Sequence, residues 1–112
     1  LVKVSINRYV SRRFEKVRDE AERGIGKLRM RMMGDLEEIF RVAGKIVKGE
    51  IRHQRIDGKM VRITPLQRQK WLEVATCVAE TIRDIAENID EKELKARLRQ
   101  IEELIESAKV SS

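Results

Sequence analysis

Apolar side chains first recur at Val10, Phe14, Val17, Ala21 and Leu28, the three-and-four spacing that lines one face of a helix. This spacing predicts a helix starting near Ser5 or Asn7. The stripe continues in phase through Met32, Leu36, Ile39, Phe40, Ala43, Ile46 and Val47. Gly24, Gly26 and Gly34 interrupt it, each costing about 1 kcal/mol in a helix interior relative to alanine. The string "GDLEE" suggests where such a helix divides, because Gly34 suits a helix end and Asp35 can cap a new helix with Glu38 three residues on. Residues 1–48 are therefore expected to form two helical segments, with one long bent helix as the alternative.

The helical period stops at Gly49. "IRHQRI" and "KMVRIT" are strand-length pieces separated by Asp57-Gly58, a pair that accepts positive φ at both positions and so suits a two-residue type I′ turn. A β-hairpin is expected over residues 49–64. Alternation puts Ile51, His53 and Arg55 on one side and Arg52, Gln54 and Ile56 on the other. Neither face is cleanly apolar, and an isolated ribbon is marginal in water, so this one needs helices or a partner to lean on.

Helix resumes at "TPLQ". Thr64 can cap it, Pro65 fits a first turn that needs no amide hydrogen, and Gln67 completes a capping box. Trp71, Val74, Ala75, Val78, Ile82, Ile85 and Ile89 then form a core stripe running to about Asn88. A second capping pattern, Asp90 with Glu93, opens a last helix whose buried face is Leu94, Leu98, Ile101, Ile105 and Ala108. The short junction implies an antiparallel pair, and the terminal "VSS" reads as a frayed end.

Composition narrows the fold class. The 112 residues amount to one domain, and with 39% charged but only 4% aromatic residues the core must be largely aliphatic. The expected fold is all-α: a helical bundle or elongated helical hairpin interrupted by one two-stranded β-hairpin. Residues 1–112 divide into a basic helical segment (1–48), the hairpin (49–64) and an acidic helical hairpin (65–112). Several amphipathic faces competing for few core residues favour a homodimer. The abundance of Lys, Arg and Glu over Asn, Gln and Cys is also the habit of heat-adapted proteins. No signal-like or bilayer-spanning run occurs, which points to the cytoplasm and away from a membrane partner.

Chemistry in the enzymatic sense has little to work with. His53 is the single histidine, on an exposed strand, with no nucleophile or carboxylate pair placed beside it by motif. Cys77, the single cysteine, falls near the core stripe, where an inert buried thiol is expected. The acids stand at helical ion-pair spacings such as Asp19 with Arg23 and Glu91 with Lys95, and no metal or phosphate loop is present. No enzyme, cofactor or metal site is expected. The methionines of "RMRMM" are read as core and gap-filling residues rather than a docking surface.

The basic residues carry the functional reading. Residues 1–70 hold 19 Lys or Arg against 9 Asp or Glu, whereas residues 71–112 hold 6 against 10. Such asymmetry fits a nucleic-acid or acidic-partner surface, or a basic segment packed on an acidic one. Arg8, Arg12 and Lys16 stack at four-residue intervals, as do Arg23, Lys27 and Arg31, although Glu15, Asp19 and Glu22 can neutralise them along the helix. Arg52, Arg55, Lys59 and Arg62 of the hairpin have only Glu50 and Asp57 as local acids, with Arg68 and Lys70 following. "KGEI", a basic ribbon with an Asp-Gly turn and "VRIT" together resemble the wing of winged helix-turn-helix domains over about twenty residues. That resemblance implies a recognition helix before the wing, but "DLEEIFRVAGKIVKG" is acidic at its start. The expectation is non-enzymatic binding of duplex DNA phosphates by Arg52, Arg55, Lys59 and Arg62, helped by Arg8, Arg12 and Lys16. Tyr9 and Trp71 fall at or near core stripes, which disfavours a stacking platform for single strands. The alternative is an assembly module that docks an acidic partner or another copy, in which the hairpin could pair edge to edge.

Loss of the first cap should be measurable. Thr64→Ala is expected to lower stability by about 1 kcal/mol, read as a lower urea midpoint with an unchanged slope.

Overall fold

A computed structural model of the chain describes residues 6–22 and 29–109. In order come α1 (Ile6–Glu22), α2 (Arg29–Val47), β1 (His53–Ile56), β2 (Lys59–Arg62), α3 (Pro65–Ala86) and α4 (Glu91–Lys109). The expected all-α fold with one inserted hairpin is the observed one.

Each helix packs on its neighbour in sequence, and α4 closes the ring against α1. Pairings along these contacts fix the directions. Arg13 of α1 bonds Asp35 of α2 at 2.9 Å. Arg18 pairs with Glu102, and Lys109 donates to Ser11 at 2.9 Å, so α4 runs against α1. Lys70 with Ser107 (2.8 Å) and Arg97 with Asp84 (3.0 Å) set α3 against α4 in the same way. The result is an up-and-down four-helix bundle, 38 Å along its longest dimension. The hairpin, the start of α1 and α3 and the end of α2 and α4 share one end.

The stripes read from the sequence meet in a single core that includes Val10, Phe14, Val17, Leu36, Ile39, Ile46, Trp71, Val78, Leu98 and Ile101. The restart at Thr64 is as written in the chain. Gln67 N donates to Thr64 Oγ1 at 3.1 Å, and Thr64 N donates to Gln67 Oε1 at 2.9 Å. At the other end of α3, Asn88 takes a left-handed φ of 62°, and Asp90 accepts from Glu93 N at 2.8 Å to start α4.

Two expectations need correction. Residues 1–48 do contain two helices, but α2 passes through Gly34 without a break. Asp35 caps nothing: its carboxylate is buried and receives Arg13, while Glu38 pairs with Arg41. One continuous apolar seam from Met32 through Leu36 and Ile39 outweighs the roughly 1 kcal/mol that a mid-helix glycine costs. Phe40, placed in the core by its apparent phase, is instead 44% exposed, and Val42 takes the inward position. Ser5, Arg23, Gly24, Gly26, Lys27, Leu28 and the terminal "VSS" lie outside the described residues, as do the side chains of Ala21, Glu22 and Met30.

Gly34 is exposed, and a Cβ built on it would meet nothing within 4 Å. Gly34→Ala is therefore expected to stabilise the bundle by up to about 1 kcal/mol, seen as a higher urea midpoint with unchanged helicity.

Candidate nucleic-acid interface

The hairpin turns through Asp57 (φ 50°) and Gly58 (φ 78°), the two positive angles of a type I′ turn. Registration follows from it: Ile56 faces Lys59, Arg55 faces Met60, Gln54 faces Val61 and His53 faces Arg62. Ile63 N donates to Arg52 O at 2.8 Å, so the 52/63 pair is hydrogen-bonded and the pairs alternate from there. Consequently Arg55 and Met60, and His53 and Arg62, direct their backbone N–H and C=O groups away from the ribbon.

Side-chain alternation then separates two faces. Gln54 and Ile63 are buried beneath the ribbon, with Ile56 and Val61 beside them and Arg52 and Lys59 at opposite corners of that same face. His53, Arg55, Met60 and Arg62 occupy the outer face. The sequence reading treated the four hairpin cations as one group. The structure divides them, Arg55 and Arg62 on the outer face, Arg52 and Lys59 at the margins of the inner one.

Two amides hold the ribbon down. Asn7, buried in the first turn of α1, donates Nδ2 to Arg55 O at 2.7 Å and accepts Arg55 N at 3.2 Å through Oδ1. Its amide occupies the outer edge of β1 as a third strand would. Gln54 reaches inward and donates Nε2 to the carbonyl of Ala108, in the last described turn of α4, at 3.3 Å. The sequence offered Asn7 only as a possible helix start and Gln54 only as one position of the strand alternation. Asn7 resembles any polar residue at a helix start, and only the company of Ile56, Val61 and Ile63 marks Gln54 as facing inward.

The basic side chains differ in how free they are. Arg55 is half-buried and donates Nη1 to Gly58 O at 3.2 Å, bracing the turn. Arg52 is exposed but clipped by Nε to Gly49 O at 2.8 Å. Lys59 and Arg62 are exposed on β2 and, among the described residues, neither makes an ion pair or side-chain hydrogen bond. Arg8, Arg12 and Lys16 are exposed as well, and the pairs with Glu15 and Asp19 that could have neutralised them are not formed. The Asn7 clamp brings Arg8 beside β1, and the row continues down α1 for about 12 Å to Lys16. Lys70 and Lys109, by contrast, are engaged with Ser107 and with Glu106 and Ser11.

Other candidate groups are placed as follows. Trp71 is fully buried, and Tyr9 is half-buried with the Arg13 guanidinium 5.1 Å above its ring. Cys77 is buried, and burial, with the charge of Glu80 adding, pushes its thiol above the ordinary range. His53 is exposed opposite Arg62. Among the described residues no three His, Cys, Asp or Glu side chains converge on a metal-sized site, and no helix is long and apolar enough to cross a membrane. Comparison with known protein families, with characterised proteins and with solved structures gave no match. The wing-like appearance stays local to the hairpin, since the helix before it buries Leu36, Ile39, Ala43 and Ile46 in the bundle.

The Asn7 clamp can be tested without touching a cation. Asn7→Asp keeps the acceptor for Arg55 N but sets a carboxylate against Arg55 O, so a loss of roughly 1–3 kcal/mol is expected. Hydrogen exchange at the hairpin amides should accelerate relative to that of α3.

Proposed function

We propose that the protein is a non-enzymatic nucleic-acid-binding module whose hairpin end takes the phosphates of duplex DNA. The observation that supports this most directly is the one-sided anchoring of the ribbon. β1 is tied to α1 and α4, while β2 leaves Lys59 and Arg62 exposed without carboxylate partners among the described residues. Arg52 lies at the margin of the same ribbon, and Arg8, Arg12 and Lys16 extend the positive surface along α1. Exposed cations on a rigid support suit backbone contacts, which position a protein on a duplex without selecting sequence. Arg55 enters this reading mainly as the brace of the turn, given its bond to Gly58 O.

The second reading, an assembly module, draws on a different feature: Phe40 and Leu72 are half-exposed along one side of the bundle. The two readings are compatible, and a homodimer belongs to the proposal. Edge-to-edge pairing of hairpins is the less favourable route to it. β2 carries Lys59 and Arg62 at its two ends, and joining two such strands edge to edge would gather four cations along one short ribbon, which is destabilising.

Fluorescence anisotropy with labelled duplex DNA at several salt concentrations tests the phosphate reading. Wild type should bind with a log–log salt slope of about −0.9 for each phosphate neutralised. Replacing Arg52, Lys59 and Arg62 together by Ala should remove roughly two to three units of that slope, and Arg55→Ala alone much less. Absence of binding at about 50 mM salt would end this reading.

A further inference from the structure

Asn7 closes the outer edge of β1 at Arg55, but among the described residues nothing does the same for β2. The N–H and C=O groups of Met60 and Arg62 face away from β1, and none of them takes a hydrogen-bond partner among the described residues. All of β2 is exposed, Met60 by 55% and Val61 by 38%. We infer that this edge takes an extended acidic peptide of a partner protein, which adds a third, antiparallel strand to the ribbon. The inference goes beyond the DNA reading and does not rest on it, the two having only the cations Lys59 and Arg62 in common.

The backbone sets the first requirement. Met60 and Arg62 each present one donor and one acceptor along the edge. Phosphates only accept, so a nucleic-acid backbone can meet the N–H groups but leaves the two carbonyls without donors. A helix keeps its N–H and C=O groups bonded within itself. An extended peptide carries both kinds of group at the spacing of a strand and meets all of them. The ribbon also gains by it, since two strands of four residues do not stand unaided and a third moves them toward the smallest sheet that does.

Side chains set the second. Lys59 and Arg62 stand at the two ends of β2 without ion pairs among the described residues, and Met60 and Val61 lie between them. In an antiparallel pair each residue shares a face of the sheet with the residue opposite it. Arg62 therefore meets the first of four consecutive peptide positions, Val61 the second, Met60 the third and Lys59 the fourth. Carboxylates suit the first and fourth, where each finds a cation, and β-branched apolar side chains suit the two between. The order acid, apolar, apolar, acid is thus the chemistry this edge selects.

The same cations decide against other occupants. Lysine on an exposed edge guards it against strands of its own kind, and here Lys59 and Arg62 turn away a second β2 while drawing an acidic strand. Nor does the chain supply that strand itself. Residues 1–5, 23–28 and 110–112 contain no Asp or Glu. The acidic strand comes from another protein.

Amide NMR of the full chain, titrated with a capped peptide holding Glu-Val-Val-Glu at its centre, provides the test. The Met60 and Arg62 amides should shift together and, at saturation, exchange with solvent at least about tenfold more slowly. Methylating the two peptide nitrogens that face Met60 and Arg62 keeps the charges and removes the donors, and should raise the dissociation constant at least about tenfold. Met60→Pro removes an outward N–H at an edge position that accommodates proline, and should do the same with helical circular dichroism unchanged. Lys59→Glu combined with Arg62→Glu should transfer the preference to a Lys-Val-Val-Lys peptide. No shift at about 1 mM peptide would overturn the inference. Binding indifferent to methylation would reduce the contact to charge attraction and overturn the added strand. Duplex DNA makes no use of the Met60 N–H and should bind Met60→Pro as it binds wild type, so either reading can fail with the other intact.

Discussion

β1 leaves the N–H and C=O of Arg55 pointing away from β2, and the side-chain amide of Asn7 takes both. A two-stranded ribbon of four residues a side has too few contacts to hold itself together, so its position depends on what is done with that edge. Because Asn7 sits in the first turn of α1, the bond fixes α1 as well as the hairpin. Arg13 and Arg18, about two and three turns further on, then meet Asp35 of α2 and Glu102 of α4. The same bond makes the ribbon unequal. One strand is closed by a helix and, among the described residues, the other stays open, which leaves the backbone edge of the ribbon available on β2.

The charge asymmetry along the chain is resolved in two ways. Part of the basic first half is spent inside the molecule: Arg13 is held in its charged form by Asp35 and Tyr9 against the cost of its partial burial, and Arg18 pairs with the acidic last helix. Others, among them Arg8, Arg12, Lys16, Lys59 and Arg62, stay on the surface. Local sequence cannot make this division, because Arg12 and Arg13 are adjacent and identical in type. What separates them is 100° of helical rotation, which turns one toward Asp35 and the other to solvent.

The features legible in advance were those set by short-range chemistry. The Asp57-Gly58 turn, the Thr64–Gln67 box, the Asp90 cap and the stripes of α3 and α4 each depend on residues within a turn or two of one another. The misreadings share the opposite character. Gly34 and Asp35 form a plausible break by local rules, yet Asp35 finds its partner 22 positions away, and a continuous buried seam overrides the glycine. Phe40 fits the period as well as its neighbour Ile39 does, and only the placement of α3 decides which of the two is covered. At the candidate site the residue types were legible and their division between two ribbon faces was implied by alternation. Which face would lie down was not legible, because it depends on Asn7 and Ala108, both about fifty positions away.

Trp71, the single tryptophan, has no exposed surface and lies one residue from Lys70, whose ammonium reaches Ser107 beside the Ala108 carbonyl that receives Gln54. Its indole N–H is buried without a hydrogen-bond partner. The chromophore is therefore set in a dry, weakly polar environment next to the joint where ribbon, α3 and α4 meet. Emission from such a ring is blue-shifted and moves to the red when water reaches it. The fold thus carries its own optical reporter at that joint, able to distinguish local lifting of the hairpin end from loss of the whole bundle when read beside helical circular dichroism.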